Sequence, residues 1–170
     1  MGLFDMLTGT KRPADGVAPG SGGEVREALL GLNQPDVPYV IRDGAAHGAD
    51  LVAEWRMAEP AWQSLFADSR LTRAVRIRMR VARESHEVRA VEEQWEVTRV
   101  GDPPRLVTSS KYTRGPDRTV SRQWTIGRGE SGRLEATEIS RFDSGELRRP
   151  LQDAVLALGW TWRGVVIGKL

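Results

Sequence analysis

From Arg73 to Val100 apolar and polar residues alternate with few breaks. Val75, Ile77, Met79 and Val81 interleave with Arg76, Arg78 and Arg80, and the run beyond Glu87 continues in the same manner. A period of two belongs to a half-buried strand, because successive side chains leave opposite sides of the backbone. The pattern predicts strands at 73–82 and 87–100, and further runs at 105–113, 118–127 and 133–143. The connectors DPP, RGPD and GRGESG have turn chemistry, so neighbouring strands should pair antiparallel. Upstream, residues 37–42 read as extended. Residues 50–57 place Leu51, Ala53, Trp55 and Met57 on one face, with Glu54 and Arg56 on the other.

Elsewhere the spacing is helical. Val25, Ala28, Leu29 and Leu32 recur at i, i+3, i+4 and i+7, which predicts a short helix over 24–32 ended by Asn33 and Pro35. Pro60 suits a first helical turn, and Trp62, Leu65 and Phe66 share a face within 60–67. Leu151, Ala154, Val155 and Leu158 form a stripe over 148–158 that Gly159 should cap. The tail WTWRGVVIG adds a last candidate strand. Residues 8–23, TGTKRPADGVAPGSGG, have no periodicity and read as a flexible linker to the apolar piece Leu3, Phe4, Met6 and Leu7. That piece could dock on the body, pair with another copy or touch a membrane.

The arginine row raises the question of nucleic acid. The chain has 25 basic and 23 acidic side chains, a balance that gives little uncompensated charge for phosphate binding. A hairpin that sets Val81 opposite Val91 also sets Arg80 opposite Glu92, Arg76 opposite Glu96 and Ile77 opposite Trp95. Such pairs neutralise the row within the sheet. This register leaves Glu93 against Met79, which implies a bulge, and a tighter turn at Ser85 would give another register. No specific nucleic-acid binding is expected.

Candidate chemistry is sparse. With no cysteine, disulfides, thiolate nucleophiles and Cys-bound metals are excluded, and a reducing cytoplasmic setting fits. No apolar run reaches transmembrane length. Gly127 to Gly132 spell G-x-G-x-x-G, but the residues that follow alternate instead of starting a helix, so a hairpin loop explains them better than a dinucleotide site. His47 lies between Asp43 and Asp50 on a Gly- and Ala-rich loop, too few ligands on too soft a segment for a metal site. His86 falls in a hairpin turn, and Ser109 and Ser110 lack a nucleophile elbow. No catalytic residue, metal or cofactor is expected.

The six tryptophans remain. Trp55, Trp95 and Trp124 sit on apolar strand faces and should fill the core. Trp160 and Trp162 would share one strand face with Arg163 on the other, closing the core or lining a pocket mouth. Trp160, Trp162, Trp55 and Arg163 are therefore the candidate ligand-binding residues.

The opening MGLFD, the internal DLVAEW and the closing GWTWRGV together resemble a set of small bacterial proteins, over most of the chain. The resemblance implies a self-contained bacterial domain and carries no activity, cofactor or site.

The expected fold is α+β: an antiparallel, twisted sheet or partly closed β-barrel of about six to eight strands, with short helices and a C-terminal apolar helix. That helix could thread a closed barrel, as in tubby-like domains, or lie in a curled cup, as in START-like domains. Residues 1–23 form a flexible tail and linker, and 24–170 a single domain. The expected function is a non-catalytic binding or protein-interaction module, for a protein partner or another copy. The alternative is a cup, enzymatic or not, for a small apolar ligand or lipid.

Overall fold

The computed structural model describes residues 2–68, 73–102, 105–114, 124–128, 134–138, 144–166 and 170. Side chains at 64, 67, 68 and 109–143 lie outside the description. The fold is α+β, with an antiparallel sheet curled into an open half-barrel.

Five strands follow one another across it: β1 (Tyr39–Asp43), β2 (Leu51–Trp55), β3 (Arg73–Ala82), β4 (Glu87–Val100) and β5 (Arg105–Arg114). β6 (Trp124–Arg128) and β7 (Leu134–Glu138) form a separate antiparallel pair. Strands therefore flank the G-x-G-x-x-G segment on both sides, as a hairpin requires. Residues 115–123, 129–133 and 139–143, which include parts of two expected strands, lie outside the described residues. β8 (Thr161–Gly164) pairs with β4 in parallel, from Glu87↔Thr161 to Ala90↔Gly164. β4 has β3 along one flank; on the other it meets β8 first and then β5.

The expected hairpin register is wrong by three residues. Val81 lies opposite Val88 and Ile77 opposite Glu92, while Arg76 faces Glu93 and Arg80 faces Arg89. The cause is the turn. Residues 83–85 form a single 3-10 turn, and His86 takes a left-handed φ of 49°, which closes the hairpin early. An odd shift moves every side chain of β4 to the other face. Glu92 and Gln94 therefore lie on the core side, and Trp95 leaves it. The irregularity in β4 falls against β5, between Trp95 and Val97.

Among the described residues four α-helices accompany the sheet: α1 (Leu3–Thr8), α2 (Gly22–Leu30), α3 (Pro60–Asp68) and α4 (Ser144–Ala157). α2 starts at a capping box, in which Glu24 N–H donates to Ser21 Oγ (3.2 Å) and Ser21 N–H to Glu24 Oε2 (2.7 Å). Val25 and Leu29 of α2, Phe66 of α3 and Leu147, Leu151 and Val155 of α4 are buried with Ile41, Leu51, Trp55, Ile77, Met79 and Val88 of the sheet. α4 begins earlier than its apolar stripe suggests and is amphipathic, with Glu146, Arg149 and Asp153 among its polar residues.

Residues 8–23, which composition marks as a free linker, are bonded to the body. Lys11 and Trp162 exchange two backbone hydrogen bonds of 2.8 Å, which adds a bridge beside β8. Further on, Gly20 N–H donates to Leu158 O (2.9 Å), and the Trp160 indole donates to Gly20 O (2.7 Å). Gly159, at φ 70°, passes so close to Ala18 that an added Cβ would lie 2.7 Å from its carbonyl oxygen. Composition records the absence of an apolar period; it cannot record backbone pairing with a strand some 150 residues away.

Candidate functional site

The arginine row lies on the outer face of the sheet, where Arg76 and Arg78 are paired with carboxylates and Arg80 faces Arg89. Glu54 of β2 bonds both Arg42 and Arg76, the latter at 2.9 Å, and Glu93 of β4 bonds Arg78 at 2.8 Å. Arg78 and Arg80 also donate to the carbonyls of His47 and Gly48 (2.9 and 3.0 Å). The carboxylates bonded to Arg76 and Arg78 are Glu54 and Glu93, while Glu92, expected opposite Arg80, lies opposite Ile77 on the core side. Arg76 stacks over Trp95 at 4.9 Å from the ring centroid, a cation–π contact on the outer face. This corrects the core position expected for Trp95. Trp124 belongs to the side chains outside the description.

The four sequence-derived candidates do not share one site. Trp160 and Trp162 are buried against α4 and the Lys11 bridge, and Trp55 is buried on β2. Arg163 is half-exposed and bonds Glu87 (2.9 Å) on the outer face. The Trp160 indole is spent on Gly20 O. Trp55 reaches the wall of an open cleft of about 500 Å³ with Met57, Val75, Arg76, Trp95 and Leu106. Its indole and the Phe66 ring are tilted by 59° with centroids 6.2 Å apart.

The loop around His47 is built by its own acids. Asp43 Oδ1 accepts from Ala45 N–H (2.9 Å), and Asp50 Oδ2 accepts from Val81 N–H (2.8 Å). Burial holds the His47 imidazole below its ordinary value, helped by the positive field of Arg76 and Arg42. No group of three or more metal-ligating side chains occurs among the described residues. His86 is exposed and sets its ring edge-on to Trp160 at 5.4 Å. The side chains of Ser109 and Ser110 lie outside the description.

Sequence reasoning missed Glu92. Its carboxylate is buried on the core side, where it bonds Arg148 of α4 at 2.7 Å and accepts from Gln94 Nε2 at 2.9 Å. Burial pushes its carboxyl above the ordinary range, against the opposing pull of Arg148, Gln94 and Ser144. A crevice of about 10 Å³ beside it, bounded by Thr8, Trp162 and Gly164, holds one water at most. The pair therefore ties α4 to β4 and has no room for a substrate.

Among the described residues, α1 presents the most exposed apolar surface. Leu3, Phe4, Met6 and Leu7 are 76%, 80%, 53% and 61% exposed. At i, i+1, i+3 and i+4 they occupy one side of the helix. The polar side faces the protein. Asp5 bonds Arg12 and accepts from Gly2 N–H (3.3 Å), and its carbonyl accepts from Thr10 N–H (2.9 Å). Thr8 Oγ1 donates to Phe4 O (2.9 Å), so the 2.7 Å contact between the two threonine hydroxyls takes its proton from the buried Thr10. Thr10 Oγ1 in turn accepts from Gly164 N–H (3.2 Å). Thr8 lies directly on Gly164, where any side chain on β8 would collide with its carbonyl. The apolar pattern of this piece is visible in the sequence, but the direction in which it points is not.

No family model matches the chain, and no match was found among curated proteins or solved structures. No helix among the described residues is long and apolar enough to cross a membrane.

Proposed function

We propose that this protein is a non-catalytic binding module whose contact element is α1. One observation carries the reading: α1 is docked by its polar side, so that Leu3, Phe4, Met6 and Leu7 all point away from the body. A helix that packs to stabilise its own fold turns the apolar side inward, as α2 does with Val25 and Leu29. Contiguous exposed apolar surface on a small protein marks a contact site. The non-catalytic part of the reading draws support from the groups that could do chemistry. Asp43, Asp50, Glu54, Glu92 and Glu93 are each engaged in a structural bond.

The reading is tested with bis-ANS, a dye that fluoresces on apolar surface. Replacing Leu3, Phe4, Met6 and Leu7 together by serine should remove most of the enhancement while the melting temperature stays within about 2 °C. A variant that enhances the dye as strongly as the parent overturns the proposal.

A second reading rests on the cleft between α3 and the β2–β5 end of the sheet. Trp55 and Trp95 on its wall, with Arg76 at the rim, suit a small apolar ligand. Dye binding that survives the serine substitutions and disappears in Trp95→Ala would favour it.

A further inference from the structure

We infer that the surface on which α1 seats is an anionic lipid membrane, with Arg12, Arg80, Arg89 and Arg163 meeting the headgroups. The inference rests on the reading of α1 as the contact element and adds the chemistry of its partner. α1 has six residues, about 9 Å of helix, too short to fill a protein groove over several turns. An interfacial helix needs less: one apolar side that enters the acyl boundary while its polar side stays out. In α1 that polar side is already bonded to the body. Insertion would bring the whole domain to the surface and expose no unsatisfied group.

The charge around the helix fits the same partner. Arg12 bonds Asp5 of α1 and lies in the field of Glu87, and Glu87 in turn bonds Arg163 and Arg89. The register sets Arg80 opposite Arg89 and Arg89 beside Arg163 on the same face, so Arg12, Arg80, Arg89 and Arg163 against Asp5 and Glu87 make four cations and two carboxylates, a local excess of +2. Elsewhere on the outer face the arginines are matched more closely: Arg42, Arg76 and Arg78 face Glu54 and Glu93. A short apolar insertion alone gives marginal, reversible binding, and a basic patch beside it supplies the second signal. A second copy of the chain would carry the same excess and would be repelled, whereas an anionic leaflet is attracted.

The experiment is flotation of the full chain with vesicles of phosphatidylcholine alone or with about one third phosphatidylserine. The protein should float with the anionic vesicles and partition onto the neutral ones roughly tenfold less. Phe4→Asp with Leu7→Asp should abolish flotation, and Arg80→Gln with Arg89→Gln should reduce the anionic value to the neutral one. Melting curves of both variants verify that they fold. Equal partition onto both vesicles, or flotation of the Phe4→Asp, Leu7→Asp variant, overturns the inference. So does a self-association in sedimentation velocity that this variant abolishes, since the occupant is then another copy. Absence of flotation with the dye response of α1 intact also overturns it, while leaving α1 as a contact element for a protein.

Discussion

α4 buries Leu147, Leu151 and Val155 and leaves Arg149 exposed, whereas α1 turns Asp5 and Thr8 inward and leaves Leu3, Phe4, Met6 and Leu7 in solvent. Each helix has an apolar side and a polar side. They differ in what the neighbouring backbone offers. α4 lies over the core face of the sheet, where Ile77, Met79, Val88 and Trp162 supply apolar partners. α1 ends on Gly164, at a strand edge where the available partners are the Thr10 hydroxyl and the Arg12 guanidinium. Such an edge rewards hydrogen bonds and charge pairs, so the polar side wins it. An amphipathic pattern predicts that one side is covered; the local partners decide which.

Separating α1 from the strand that follows it should give the largest contrast. Deleting residues 1–23 removes the Lys11 bridge and the Gly20 partner of Trp160, and should lower the melting temperature by about 10 °C or more. Deleting only residues 1–7 should lower it by less than about 3 °C. Similar losses from the two truncations would mean that α1 is itself part of the core.

Next in size is the packing of α4. Leu151→Ala empties a fully buried site and should cost about 2–5 kcal/mol by urea unfolding. A cost near zero would show that α4 does not cover the sheet.

The buried carboxylate of β4 gives a smaller effect with a pH signature. Arg148→Met removes the cation from Glu92 and should cost about 2–3 kcal/mol at neutral pH. Burial already raises the Glu92 carboxyl, and loss of Arg148 raises it further. Between the ordinary carboxyl value of 4.5 and the raised one, the native state binds more protons than the unfolded state. Stability in that window therefore falls as pH rises. The deficit of the variant should shrink on acidification from neutral pH towards 4.5. A deficit that is constant over this range would place the Glu92 carboxylate in water.

The smallest effect belongs to the exposed side of α1. Phe4→Ser with Leu7→Ser should change stability by no more than about 0.5 kcal/mol, as substitutions on exposed positions do.

Much of the fold was legible in the alternation of residues. β3 and β4 run from Arg73 to Ala82 and from Glu87 to Val100, the bounds that the pattern predicts, because arginine and apolar residues alternate without a competing helical period. Their register was not legible. It depends on a 3-10 turn at 83–85 and a left-handed His86, and one odd step exchanged the roles of Glu92 and Glu93. The expectation that the arginine row is self-neutralised holds for Arg76 and Arg78, on Glu54 and Glu93, but not for Arg80, which faces Arg89. The stitching of residues 10–20 to the C-terminal strand was invisible because it uses backbone groups. Two hints were present: a tryptophan at 160 whose indole needs an acceptor, and glycines at 20, 159 and 164 where chains meet. Of the candidate site, the apolar residues of α1 were readable, and their outward direction was not.

The absence of cysteine allows that direction to be measured at one position. Phe4→Cys labelled with acrylodan reports the polarity around a single α1 side chain. In buffer the emission should be that of a water-exposed probe, shifting to the blue only when anionic vesicles are added. Emission already blue-shifted in buffer would place Phe4 against the protein and contradict the outward face of α1.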